Sequence, residues 1–242
     1  MINAVGITDI GLCRQANQDK YAIIRLDEET LLVVVCDGMG GENGGDTASR
    51  MAVEVISKAV QQSYRSDMTE ASIKRMLESA IDAANISIYD EAQATDSLRG
   101  MGTTAVVIFV CGQTAYIMHV GDSRVYKMQN GEIEQVTKDH TVVQMLVERG
   151  ELTEEQAQEH PNKHLITRAV GVEKELQADY SVCELGEGTL LLACTDGLSN
   201  HLQASELFQI AQDLGPQDCV KKYVQRANEN GGQDNITAVL LY

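Results

Sequence analysis

Three stretches of this chain are apolar at every position: LLVVVC (31–36), AVVIFVC (105–111) and LLLAC (190–194). Each falls far short of the ~20 residues that cross a bilayer as a helix. Their brevity and their content of Val, Ile and Phe read as strands. A strand with no polar face must be covered on both sides, so its sheet lies between other layers. Two of the runs end alike. The first leads into Asp37-Gly38 and the third, through Thr195, into Asp196-Gly197. A further acid, Asp234 in GGQDN, stands just ahead of the last apolar run, ITAVLLY.

The remaining periodicity fills in the order of elements. Strands are predicted over 3–10, 20–26 and 31–36, followed by two amphipathic helices. Ala48, Met51, Ala52, Val55, Ile56 and Ala59 share one face of the first, and Ile73, Met76, Leu77, Ala80, Ile81, Ala84 and Ile88 one face of the second. Strands follow near 103–111, 114–120 and 123–128, and Asn130-Gly131 supplies a type I′ hairpin turn. A short helix over 142–149 stops at Gly150, and TEEQ (153–156) fits a capping box. The polar stretch around it is a surface excursion of about 25 residues, the length of a lid or flap. Strands near 178–183 and 189–195 come next. A helix opens at Pro216, with Val220, Tyr223, Val224 and Ala227 on one face, and the strand 236–242 closes the chain. No Pro/Ser-rich linker divides the sequence, so the expectation is a single catalytic domain over 1–242 with a flap subdomain at about 145–170. The fold class is α+β: a four-layer α-β-β-α sandwich, two antiparallel sheets face to face and flanked by helices.

The chain has 242 residues and a formal net charge of -17. Such a surface repels phosphate backbones and anionic lipid, so neither nucleic acid nor a membrane is an expected partner. The N-terminal MINAVGITDIG lacks the basic-then-apolar pattern of a signal peptide. None of the six cysteines forms a C-x-x-C pair, and Cys36, Cys111, Cys183 and Cys194 lie in or at the ends of apolar runs, as small hydrophobes do. A cytoplasmic location is expected.

An Asp-Gly after a strand needs to be no more than a turn. Two of them on doubly covered strands ask for more, because carboxylates gathered in an apolar core are costly unless a cation compensates. Asp234 is a third candidate, with Asn235 beside it to steady a carboxylate. No cysteine pair accompanies the five histidines, so a zinc site is not expected. Ligation by oxygen alone favours Mg²⁺ or Mn²⁺. Two such ions can share a water, lower its pKa and aim it at a phosphorus. Three more positions stand open. Arg14 in RQANQD either grips a phosphate with its planar fork or forms a surface ion pair. Asp19 joins the site or caps the entry to a strand. Asp122 in VGDSR joins it or makes a hairpin turn.

At these residues the sequence resembles a family. R-x-x-N-Q-D (14–19), V-C-D-G-M-G-G (35–41), R-G-M-G-T-T (99–104), H-V-G-D-S-R (119–124), T-D-G-L (195–198) and Q-D-N-I-T (233–237) look like the motif series of type 2C, metal-dependent protein serine/threonine phosphatases, in the short, flap-bearing form of the bacterial branch. Six motifs in order over nearly the whole chain make the likeness specific.

The resemblance implies a metal centre at one end of the sandwich, with two Mn²⁺ or Mg²⁺ ions and room for a third. It implies that Asp37 bridges two ions, that the Gly38 carbonyl binds one of them, and that Asp196 and Asp234 complete the first ion's shell. Asp19 acts through the water shell. Asp122, with Asp196, matches the place of a third, weaker ion, and Arg14 matches the phosphate-binding arginine. Asp37, Arg14 and Asp196 are thus the expected catalytic set. A bridging hydroxide would attack the phosphorus in line. The implied substrates are phosphoserine and phosphothreonine proteins, those of a cognate Ser/Thr kinase and the kinase itself, and the implied state is a monomer. Animal relatives carry a His two residues after the bridging Asp; here Met39 stands there, and a thioether gives no proton. His119 is read as structural.

Rivals are weaker. A haloacid-dehalogenase-type enzyme needs a second Asp two residues after the first, where this chain has Met39 and Leu198. No P-loop motif is present, and the acids of DGMGGENGGD do not follow EF-hand spacing. A catalytically silent phosphoprotein-binding homologue, and a phosphatase dedicated to a phosphoserine on a sigma-factor regulator, are the remaining alternatives.

Overall fold

The structure is a computed structural model that describes residues 2–242. In chain order the elements are β1 (Ala4–Asp9), β2 (Asp19–Arg25), β3 (Thr30–Met39), α1 (Gly41–Ser63), α2 (Glu70–Ala94), a 3₁₀ turn (Asp96–Leu98), β4 (Gly102–Thr103), β5 (Ala105–Cys111), β6 (Thr114–Val120), β7 (Arg124–Gln129), β8 (Glu132–Gln135), α3 (Val142–Glu148), α4 (Glu154–Glu159), β9 (Asp179–Glu184), β10 (Leu190–Cys194), α5 (Asp196–Ser199), α6 (Ala204–Asp213), α7 (Pro216–Glu229) and β11 (Ile236–Leu241). One sheet has the order β1-β11-β10-β7-β8. The other runs β2-β3-β5-β6-β9, with β4 on the end of β3. Every pairing is antiparallel.

The apolar runs have no polar face because both faces are covered. Along β3, Leu31, Val33 and Val35 meet Val125, Leu191, Ala193 and Val239 of the opposite sheet. The alternating Leu32, Val34 and Cys36 pack under α1 and α2, against Ala48, Ala52, Ile56, Leu77 and Ile81. On the other sheet, Leu192, Cys194, Ala238 and Leu240 point outward to Leu207, Ile210, Val220 and Tyr223 of α6 and α7. Period-2 alternation therefore sorts each strand into an inter-sheet core and an outer, helix-covered core. The result is the expected α-β-β-α sandwich. Among the described residues no helix is long and apolar enough to cross a membrane.

Several local expectations hold. Asn130 and Gly131 have φ of 55° and 86°, the two positive values that a type I′ turn requires, and they join β7 to β8. Thr153 and Gln156 form the capping box at α4. Others do not. The helix expected from about Ala48 begins at Gly41, so most of the glycine-rich stretch is its first turns. Glycine is a poor helix former, by ~1 kcal/mol against Ala, but here packing overrides propensity. A Cβ on Gly38 would lie 2.0 Å from the Gly45 carbonyl oxygen, so only glycines let β3 and α1 approach this closely. Helix α6 was not foreseen, although Leu207 and Ile210 are buried at helical spacing. Finally, β6 and β7 are not a hairpin. They lie in different sheets, and 121–123 carry the chain from one sheet to the other. Asp122 is therefore a crossover residue at the end of the sandwich.

Candidate metal centre and active site

The sheets' ends bring the sequence candidates together. Asp19 and Asp37 face each other across β2 and β3 as register partners. Asp122 comes from the β6–β7 crossover, Asp196 opens α5 just beyond β10, Asp234 precedes β11, and Arg14 lies in the β1–β2 loop. One open cavity of 1090 Å³ is lined by Arg14, Asp37, Gly38, Asp122, Asp196 and Asp234. Asp19 lies beneath it, only 2% exposed.

The acids are held in a way that leaves oxygen atoms unspent. Asp19 Oδ2 accepts hydrogen bonds from Thr195 Oγ1 at 2.8 Å and Thr237 Oγ1 at 2.7 Å, both from the opposite sheet. Asp19 Oδ1 is buried without a protein partner. Asp196 repeats the pattern: Oδ2 accepts from Asn200 Nδ2 at 3.0 Å, and Oδ1 is buried and unpartnered. Burial, then the two neighbouring carboxylates Asp196 and Asp234, raises Asp19 to about 7 against its threonine bonds. Burial, then Asp196, raises Asp122 to about 8. Asp37 is pushed well above the carboxylate range by burial and by Asp19, Asp196, Asp122 and Asp234. Asp196 is also raised, by burial and Asp234. Buried acid oxygens without partners call for an explanation, and a cation fits them.

Among the described residues no three His, Cys, Asp or Glu side chains close tightly enough to form a metal cage on their own. The donors the site offers are carboxylate and carbonyl oxygens, which suit Mg²⁺ or Mn²⁺ better than zinc.

The backbone around Asp37 is fixed from β4 and β5. Asp37 N donates to Thr104 Oγ1 at 2.9 Å, and its carbonyl accepts from Thr104 N at 2.9 Å and Thr103 Oγ1 at 2.8 Å. Thr104 Oγ1 also bonds Ser123 Oγ at 2.7 Å, beside Asp122. These supporting hydroxyls, and those of Thr195 and Thr237, were not singled out from the sequence. Each lies inside a quoted motif, but the sequence does not say that its hydroxyl is turned to an acid. Asn235 differs from expectation: only its backbone N–H bonds the Asp234 carboxylate, at 2.8 Å. Its side chain instead ties down the Arg14 loop, accepting from Gln18 N and donating to the carbonyls of Ile10 and Ala16.

Because Gly38 and Gly45 touch through their backbones, Gly38→Ala is expected to displace the Asp37–Gly38 segment. The Cβ would meet backbone on both sides, including Gln18 O at 2.8 Å. Overpacking of this kind destabilises by roughly 1–3 kcal/mol. Chemical denaturation should show that loss, together with an activity far below wild type at temperatures where the variant remains folded.

Arg14 Nη2 donates to Asp234 Oδ2 at 2.6 Å, and the Arg14 side chain is 53% exposed, so much of its fork remains open to the cavity. Asp234 holds the guanidinium's pKa above its usual value. Met39 also lines the cavity. His119 does not. It is 2% exposed, neither ring nitrogen has a partner, and burial pushes it down to about 3. The flap contributes His164 and Ile166 to the wall, two residues that sequence reasoning did not select. A second cavity of 670 Å³ continues under the flap and shares Asp122, His164 and Asp196 with the first.

With this geometry in hand, comparison with known proteins is specific. The sequence model of the protein phosphatase 2C family matches residues 14–240. The serine/threonine phosphatase stp of Listeria innocua is 35% identical over 235 residues, covering 97% of this chain and 93% of that protein. The S. agalactiae serine/threonine phosphatase superposes with a TM-score of 0.94 at 33% identity, over 100% of this chain and 99% of that one. The catalytic domain of the serine/threonine protein phosphatase PstP, solved with two manganese ions, superposes with a TM-score of 0.84 at 29% identity, over 99% of this chain and 97% of that one.

Proposed function

The chain belongs to the protein phosphatase 2C family and is a metal-dependent protein phosphatase, and from that premise we propose that two Mn²⁺ or Mg²⁺ ions, held at the ends of the two sheets, serve its hydrolysis of phosphoserine and phosphothreonine on proteins. The observation that carries this reading is the cluster of raised carboxylates with unpartnered oxygens, Asp19 Oδ1 and Asp196 Oδ1, at one cavity. Asp37, the Gly38 carbonyl, Asp196 and Asp234 line the cavity and would hold the ions. Asp19, buried behind them, would add its charge, and Asp122 with Asp196 would offer a further, weaker site. When bound, the ions supply an activated water and positive charge against the phosphoryl oxygens.

The chain's own groups do the rest. Arg14 orients the phosphate with the open part of its fork. Thr195 and Thr237 fix the direction of Asp19 by binding one of its oxygens and leaving the other free. Met39 holds no proton for the departing alkoxide, so it is not the general acid. The flap supplies His164 and Ile166 to the cavity wall. The relatives' own description as serine/threonine phosphatases supports phosphoserine and phosphothreonine proteins as substrates; we further propose that these are the targets of a cognate Ser/Thr kinase, and the kinase itself.

The test is phosphate release from a phosphothreonine peptide with Mn²⁺ and with EDTA. Release that depends on Mn²⁺ is expected. No release from several phosphopeptides, with metal shown to be bound, would contradict a general phosphatase. Arg14→Ala should lower kcat/KM about 10- to 100-fold, the loss of one or two charge-assisted hydrogen bonds to phosphate. Arg14→Lys should recover only part of it, because an ammonium lacks the fork.

A further inference from the structure

The two ends of the flap meet at one buried residue. His140 is 6% exposed and stands immediately before Thr141, which caps α3 at the flap's entry. At the flap's exit, Thr167 N donates to the His140 carbonyl at 2.7 Å, and Thr141 bridges Ile166. Both ends of the excursion thus close on one residue.

The same residue grips the crossover that carries Asp122. His140 N donates to the Gly121 carbonyl at 2.8 Å, and Gly121 N donates to His140 Nδ1 at 3.1 Å. Gly121, at φ 104°, is pressed against Thr104, whose hydroxyl binds Asp37 N. With Nδ1 an acceptor, the neutral ring carries its proton on Nε2. That nitrogen lies 3.3 Å from Asp179 Oδ2 and 3.2 Å from Arg168 Nη1, and Asp179 Oδ1 accepts from the same Arg168 nitrogen at 2.9 Å. Arg168 is the first residue past the flap's exit bond. The ring face is covered by His119, with centroids 4.7 Å apart. An apolar residue of the same size would fill the space but leave the Gly121 N–H buried without an acceptor.

We propose that His140 is a positioning residue that couples the seat of the flap to the seat of the Asp122 turn, so that whatever shifts the flap also shifts that carboxylate. The role of Asp122 rests on the function proposed above. The coupling does not, and it is measurable without catalysis. A residue that only filled space would change global stability and leave the two segments uncorrelated.

The test is residue-resolved amide exchange on the metal-free protein, comparing wild type with Asp179→Asn and His140→Asn. Asp179 has a side chain 45% exposed, so its substitution leaves the core intact. It removes the charge shared by His140 and Arg168. His140→Asn keeps an acceptor for Gly121 N–H and drops the Asp179 arm. In both variants exchange should rise about fivefold or more, the equivalent of one lost hydrogen bond. The rise should appear together at Gly121–Ser123 and across 142–166, while Leu32–Val35 of the core stay unchanged. Faster exchange in the flap with Gly121–Ser123 unmoved, or no change in either segment, would overturn the coupling. A wild-type protein without phosphatase activity would sink the function proposed above and leave this test standing.

Discussion

Asp37→Asn is expected to abolish Mn²⁺-dependent phosphate release while making the metal-free protein more stable. The first effect follows from the place of Asp37 between the other acids. An amide oxygen there carries no charge, and ions worth several kcal/mol of transition-state stabilisation would be lost or misplaced. Since ~1.4 kcal/mol is a factor of ten in rate, the fall in kcat should be at least about 10³-fold. The second effect has the opposite sign. Without a cation, Asp37 is a buried acid surrounded by Asp19, Asp196, Asp122 and Asp234, which raise its pKa after burial itself. Neutralising it relieves that repulsion. Thermal unfolding in EDTA at pH 8 should place the variant's midpoint above wild type by roughly 2–4 °C per kcal/mol relieved. A residue that merely made a turn would give neither result, and one that merely held the fold would lower both quantities.

Metal removal should cost the wild type stability in a pH-dependent way. Asp19 is raised to about 7 and Asp122 to about 8, and Asp37 and Asp196 are raised too. Between the unfolded carboxylate value near 4 and these folded values, the folded state binds more protons than the unfolded one. Stability therefore falls as pH rises through that window, the reverse of a salt-bridged acid. In EDTA the unfolding free energy should decline from about pH 4 to pH 8. Saturating Mn²⁺ should remove the decline, because the ions favour the ionised carboxylates. At 100 times its dissociation constant each ion adds ~2.7 kcal/mol, so two ions should raise the midpoint on the order of 10 °C at pH 8. Scanning calorimetry at several pH values with and without Mn²⁺ measures both the slope and its loss. A flat profile in EDTA would mean that these acids are not the electrostatic burden described here.

The layers were legible in the sequence because doubly covered strands leave no polar face. Leu32 and Val33 point into different cores, and each position is apolar for its own reason. The carboxylates were legible because Asp-Gly closes two such strands. What escaped was the support. Thr195 and Thr237 look like ordinary strand residues, and only the meeting of two sheets reveals that their hydroxyls share one oxygen of Asp19. Asn235 reads as a partner for Asp234, its neighbour, yet its side chain serves the loop around Ala16. Local sequence could not tell a crossover from a hairpin at Asp122, because the turn chemistry of Gly121–Asp122 suits both. Helix α6 was missed because its face is narrow, with only Leu207 and Ile210 buried.

Anomalous scattering at the manganese edge, from crystals grown with Mn²⁺, would show directly whether the carboxylate cluster holds two ions. Two strong peaks are expected, both in coordination contact with Asp37, one also touching Asp196 and Asp234. A single peak, or peaks away from Asp37, would contradict the account.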